Sequence, residues 1–139
     1  MKPIEKIRAL FAKEKRPEHF TDYEHCEECA DHDRTLLKYD NTNLPSEAVT
    51  NPGWNPICFI TPAGFRYYYP RLCELAYGTG DAFFLDSFLS HLEYNIDLLS
   101  QDEKEATYEL LIDISDKIRE DIALNLSSPD IDRVSEKLT

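Results

Sequence analysis

Thiol and imidazole crowd one short run, His25-Cys26-Glu27-Glu28-Cys29-Ala30-Asp31-His32. On a helix opened just after Thr21, a turn of about 100° per residue places His25, Cys29, His32 and Leu36 in one stripe, with Cys26 and Leu37 on its shoulder. Three kinds of chemistry fit that placement. Thiolate and imidazole are the usual zinc ligands, so Cys26, Cys29, His32 and His25 form a candidate zinc set, completed if needed by His19, Cys58 or Cys73. A Cys-x-x-Cys pair near a helix start also suits thiol redox chemistry, because the helix dipole favours the first thiolate. Against that, Glu27, Glu28, Asp31 and Asp33 disfavour a thiolate, and no strand precedes the motif. The third reading is packing alone, since free cysteine is among the most buried residue types.

Elsewhere the residues offer less. The chain has four glycines, none in a phosphate-cradling loop, and no nucleophile elbow, His-Glu-x-x-His motif or calcium loop occurs. His91 with Asp86 or Glu93 is the remaining titratable grouping, and a histidine on an apolar helix is expected to be a core or edge residue. The aromatic run Tyr67, Tyr68, Tyr69 cannot all point inward on one helix, so at least one ring is expected at the surface, where tyrosine favours protein contacts. Trp54, pinned in Asn51-Pro52-Gly53-Trp54-Asn55-Pro56, is expected to plug an edge of the core, with a contact role as the alternative.

The elements that must position these groups read as helices. Ile4, Ile7, Leu10 and Phe11 follow Pro3 at helical spacing, and this helix is expected to end before Pro17. Thr21-Asp22-Tyr23-Glu24 reads as a capping box opening a helix to about Lys38. Residues 39–56 read as loop, with one helical turn near Ser46 to Val49. Ile57-Cys58-Phe59-Ile60 is a buried strand or an extended lead-in. Thr61-Pro62 starts another helix, which Pro70 is expected to kink or interrupt before it stops at Gly78. Asp81 caps a helix carrying Phe84, Leu85, Phe88, Leu89, Leu92 and Ile96. Ser100-Gln101-Asp102-Glu103 opens the longest one, with Leu110, Leu111, Ile114, Ile118 and Ile122 inward and an acidic outer face. A short, frayed helix is expected after Ser128-Pro129, with Ile131, Val134 and Leu138 docking on the body. The fold class expected is a mainly α, compact single-domain helical bundle spanning 1–139, with at most one short strand or strand pair near residues 57–60.

With 139 residues, 42% hydrophobic and 12% aromatic, the chain is large and apolar enough for its own core. Acidic residues outnumber basic ones 27 to 15, giving a net charge of −12. A surface of that sign repels phosphate backbones and anionic headgroups, so neither nucleic acid nor membrane is expected as a partner. The N-terminal pattern is that of a helix, not of a signal peptide, so a cytoplasmic location with reduced cysteines is expected.

Cys26-Glu27-Glu28-Cys29, the segment Ile60-Thr61-Pro62-Ala63-Gly64-Phe65-Arg66-Tyr67-Tyr68-Tyr69-Pro70 and the late Ser100-Gln101-Asp102-Glu103 helix together resemble an uncharacterised bacterial family, a domain of unknown function. The family's usual middle motif has an acidic residue where Ala63-Gly64 stands and leucine where Tyr69 stands. The resemblance implies a small cytoplasmic domain and carries no activity, cofactor or catalytic residue with it. The leading functional expectation is a non-enzymatic binding or accessory domain, acting through protein contacts or self-association at the tyrosine-rich and acidic helices. A small zinc protein is the alternative, and a thiol redox protein using Cys26 and Cys29 ranks third.

Overall fold

The structure, a computed structural model, describes residues 1–78 and 80–139, the side chains of residues 122 and 123 excepted. It is built from helices: α1 (Pro3–Leu10), α2 (Glu27–Leu37), α3 (Pro62–Gly78), α4 (Ala82–Tyr94), α5 (Gln101–Ile118), α6 (Ile122–Asn125) and α7 (Ser128–Lys137), with 3-10 turns at Ser46–Ala48, Pro56–Phe59 and Ile96–Leu98. No strand forms among the described residues; Thr21 and Ile60 make one isolated antiparallel bridge. The mainly α expectation holds. Residues 57–60 form a tight turn instead of a strand because the Asn55 side chain accepts the Ile57 amide at 3.0 Å and caps it. No helix described is long and apolar enough to cross a membrane.

α3 is the central element. It packs against α1, α4 and α5, while α2 lies on the Pro56–Phe59 turn and α7 docks on α4 and α5. This arrangement overturns the expectation of an exposed tyrosine. Tyr67, Tyr68 and Tyr69 are all buried, because rings 100° apart meet a different cover on each side of the helix. The Tyr68 hydroxyl donates to the Tyr39 carbonyl at 2.8 Å, and the Tyr69 hydroxyl shares a 2.7 Å hydrogen bond with Thr107 Oγ1 on α5. Tyr67 is roofed by Arg16, whose guanidinium donates to its hydroxyl at 3.2 Å and lies 5.4 Å from its ring centre. Burying these rings satisfies both the apolar body and the polar tip.

Pro70 sits inside α3 without interrupting it, buried among the same neighbours. A proline there costs about 3 kcal/mol in isolation, less than the burial of the flanking Phe65, Tyr69, Leu72 and Cys73 returns. The predicted caps hold at Thr61, Asp81 and Ser100, whose side-chain oxygens accept the amides of Gly64, Phe84 and Glu103. α7 docks through the expected residues, with Ile131, Val134 and Leu138 buried against the body. On α5, Leu110, Leu111, Ile114 and Ile118 face inward as expected, and the side chain of residue 122 lies outside the described set.

Candidate metal centre

A thiol caps α2. Cys26 has extended backbone, φ −163° and ψ 171°, and its Sγ accepts the Cys29 amide at 3.3 Å. The Thr21–Glu24 capping box is therefore not used, and the helix starts at Glu27. The reason is tertiary: Thr21 pairs with Ile60, and the buried Asp33 carboxylate takes the Phe20 and Thr21 amides at 2.6 and 3.2 Å. Glu24 has no donor left to accept there. Asp33 also holds His19 Nδ1 at 2.7 Å, and Thr21 Oγ1 donates to the Cys29 carbonyl at 2.7 Å. Residues 19–21 are thus tied to the first two turns of α2, and the chain returns through a turn closed by the His25 amide on the Asp22 carbonyl at 3.0 Å.

This corner brings His25, Cys26 and Cys29 together, with one donor atom from each lying within 4.8 Å of the others. The sulfurs are 3.1 Å apart, and Cys29 Sγ is 3.7 Å from His25 Nδ1. His25 and Cys26 are exposed and Cys29 is buried. The Cys29 amide and thiol, with His25 adding to the effect, favour the Cys26 thiolate and lower its pKa to about 7. The same contact, together with burial, raises the Cys29 thiol to about 11. His25 is shifted upward by its hydrogen bond to the Cys26 sulfur. The neighbouring carboxylates do not cancel the local donors, because the helix start points its amides at Cys26.

The donor set fits a thiophilic divalent ion. With zinc–sulfur bonds of about 2.3 Å, two tetrahedral thiolates stand about 3.8 Å apart and a thiolate and imidazole about 3.6 Å. The sulfur–nitrogen spacing already matches, and the sulfurs need to part by about 0.7 Å.

His32 is not part of the trio. Its ring is completely buried, 4.7 Å from Phe59 in a stacked contact and 4.5 Å from Trp54. Among the described residues neither ring nitrogen has a hydrogen-bond partner, and Glu28 Oε1, 3.5 Å from Nε2, lacks the geometry for one. Trp54 is 43% exposed and covers His32 instead of plugging the core. Among the other expected donors, Cys73 is deep in the core, Cys58 is exposed on the Pro56–Phe59 turn, and His19 is engaged by Asp33 and stacks on Tyr23. The carboxylates near His91 in sequence are engaged elsewhere: Asp86 accepts from Ser127, and Glu93 pairs with Arg133 and Lys137.

Asp33 is the residue that sequence reasoning missed as an organiser. It falls one turn beyond Cys29 in α2, a position that could have marked it as a carboxylate facing the body of the protein. No family model, curated protein or solved structure matches this chain. The family resemblance therefore rests on its motifs alone.

Proposed function

We propose that the protein is a small zinc-binding domain in which Cys26, Cys29 and His25 hold the ion. The observation that carries this reading is the convergence of those three donors at the capped start of α2. Three protein ligands leave a fourth position on the exposed side of the corner, as in zinc sites that exchange water or a ligand. The ion would neutralise the Cys26 thiolate and lock the 19–25 segment onto α2. Reduced cysteines of this kind suit the cytoplasm.

Elemental analysis of untagged protein tests the proposal. Near-stoichiometric zinc is expected in the native chain, with loss of the ion in Cys26→Ser/Cys29→Ser. Less than about a tenth of an equivalent in the native protein sinks it, because thiolate sites retain metal through purification.

The same corner supports a second reading, dithiol exchange, on the 3.1 Å sulfur separation and the exposed Cys26 backed by a buried Cys29. In that reaction the Cys26 thiolate attacks a substrate disulfide and displaces one thiolate. Cys29 then loses its proton, attacks the mixed disulfide and releases the second thiol. The chain is left oxidised by two electrons and the substrate reduced by two. A metal-free protein that loses two hydrogens by mass on incubation with glutathione disulfide, and regains them with a dithiol reductant, would favour this reading over zinc.

A further inference from the structure

A groove runs along α4 opposite the 49–62 segment. Two cavities of about 210 and 560 Å³ lie end to end in it and share Cys58. Phe83 and Ser87 flank the first, and Ser90, His91 and Tyr94 flank the second. These α4 positions fall on one stripe of the helix, and Phe83 to Tyr94 spans about 16 Å at 1.5 Å per residue. The Asn55 amide donates to Ser87 Oγ at 3.1 Å and ties the two walls together.

The lining differs in charge from the rest of the molecule. In a chain that is 30% Asp, Glu, Lys and Arg with a net charge of −12, none of the described residues lining either cavity is of those four types. Burial lowers the pKa of His91, which keeps its ring neutral at physiological pH. Large rings nevertheless stand in solvent at the rim, with Tyr94 87% and Phe83 65% exposed. Tyrosine and phenylalanine are favoured at the centres of protein interfaces, where charge is depleted.

We propose that this groove receives an extended, uncharged peptide segment of a partner protein, carrying aromatic or aliphatic side chains at alternate positions. Length and shape argue for a peptide: about 16 Å accommodates some five residues of extended chain at 3.3 Å each. The chemistry agrees, because hydroxyl and amide side chains at Ser87, Ser90 and Asn95 can meet a peptide backbone while the rings meet its side chains. A basic segment, the natural partner for the acidic surface elsewhere, finds no carboxylate in the groove.

Selection of a displayed random heptapeptide library on the full-length protein, followed by fluorescence anisotropy with the enriched peptides, tests this. Uncharged sequences with two or more apolar side chains are expected. Their affinity should fall at least tenfold for Tyr94→Ala and for Ser90→Asp, both exposed positions that leave the helical circular dichroism signal intact. Binding that persists in Cys26→Ser/Cys29→Ser separates the groove from the metal centre. Failure to enrich any sequence overturns the proposal, as does enrichment of basic peptides indifferent to both groove variants. A groove that binds only the neutral dye Nile red, in a Tyr94-dependent way, and no peptide overturns it in favour of a small apolar ligand.

Discussion

His32 and Cys26 are six residues apart in sequence and sit in opposite surroundings. The His32 ring is buried between Trp54 and Phe59 with both nitrogens unpartnered. A buried polar group without a partner costs about 1–3 kcal/mol, and replacing it with an apolar group of similar shape removes that cost. His32→Phe is therefore expected to melt at or above the native temperature in calorimetry and to keep its zinc; loss of the ion would make His32 a ligand. Cys26, at the exposed helix start, is expected to alkylate in the metal-free protein with a midpoint near pH 7, while Cys29 resists until about pH 11. The sign follows from the thiolate: folding stabilises the deprotonated Cys26, so that contribution is complete above the ordinary thiol pKa of 9.0 and fades as pH falls towards 7. Iodoacetamide labelling followed residue by residue across pH 5–10 reads both thiols, and equal rates for the two would refute the asymmetry.

Between elements, the start of α3 carries a tight constraint at Gly64. A Cβ added there would lie 2.8 Å from Ile60 Cγ1 and 3.0 Å from Phe20 Cδ1. Both neighbours belong to the small joint that also supports the metal corner, since the Thr61 amide donates to the Phe20 carbonyl at 2.8 Å. Gly64→Ala is expected to destabilise the fold by about 1–3 kcal/mol, the usual cost of overpacking, despite the better helix propensity of alanine. Urea unfolding measures it, and a stabilised variant would mean that the joint yields freely. A part-buried ion network lies on the same helix. Arg66 bridges Glu14 and Glu103 with contacts of 2.9 Å to each, and it fixes α3 against both the residues after α1 and the start of α5.

On the scale of the whole molecule, acidic residues outnumber basic ones 27 to 15, and some of the basic groups clasp one helix to another. Glu93 on α4 receives Arg133 and Lys137 from α7, at 3.1 and 2.6 Å. The Arg133 and Lys137 hydrogen bonds hold the Glu93 carboxyl down at about 2, well below its usual 4.5. Because the folded value is depressed, the clasp stabilises the docked α7 at all pH above about 4.5 and is lost as pH falls from there towards 2. Glu93→Gln is expected to flatten the acid limb of the stability curve in that window and leave the neutral protein little changed, as exposed pairs contribute modestly. Denaturant titrations at pH 7, 4 and 3 supply the comparison; identical pH profiles for the two proteins would remove the clasp from the account.

Local chemistry was legible in the sequence. The caps at Thr61, Asp81 and Ser100, the apolar stripes of α4 and α5 and the mainly α class follow from interactions within a few residues, which a chain carries wherever it folds. The proximity of Cys26, Cys29 and His25 was legible for the same reason, because their spacing spans about a turn. What needed the tertiary structure were the competitions between distant groups. Thr21 leaves its capping box because Asp33 and Ile60 take its backbone; the helix then begins five residues late, with a thiol as its cap. Tyr67, Tyr68 and Tyr69 are all buried because separate elements cover each face of α3, and His32 leaves the ligand set because Trp54 and Phe59 close over it. Each of these outcomes is decided by burial and hydrogen bonding between residues far apart in the chain, and periodicity along one segment holds no record of what that segment will meet.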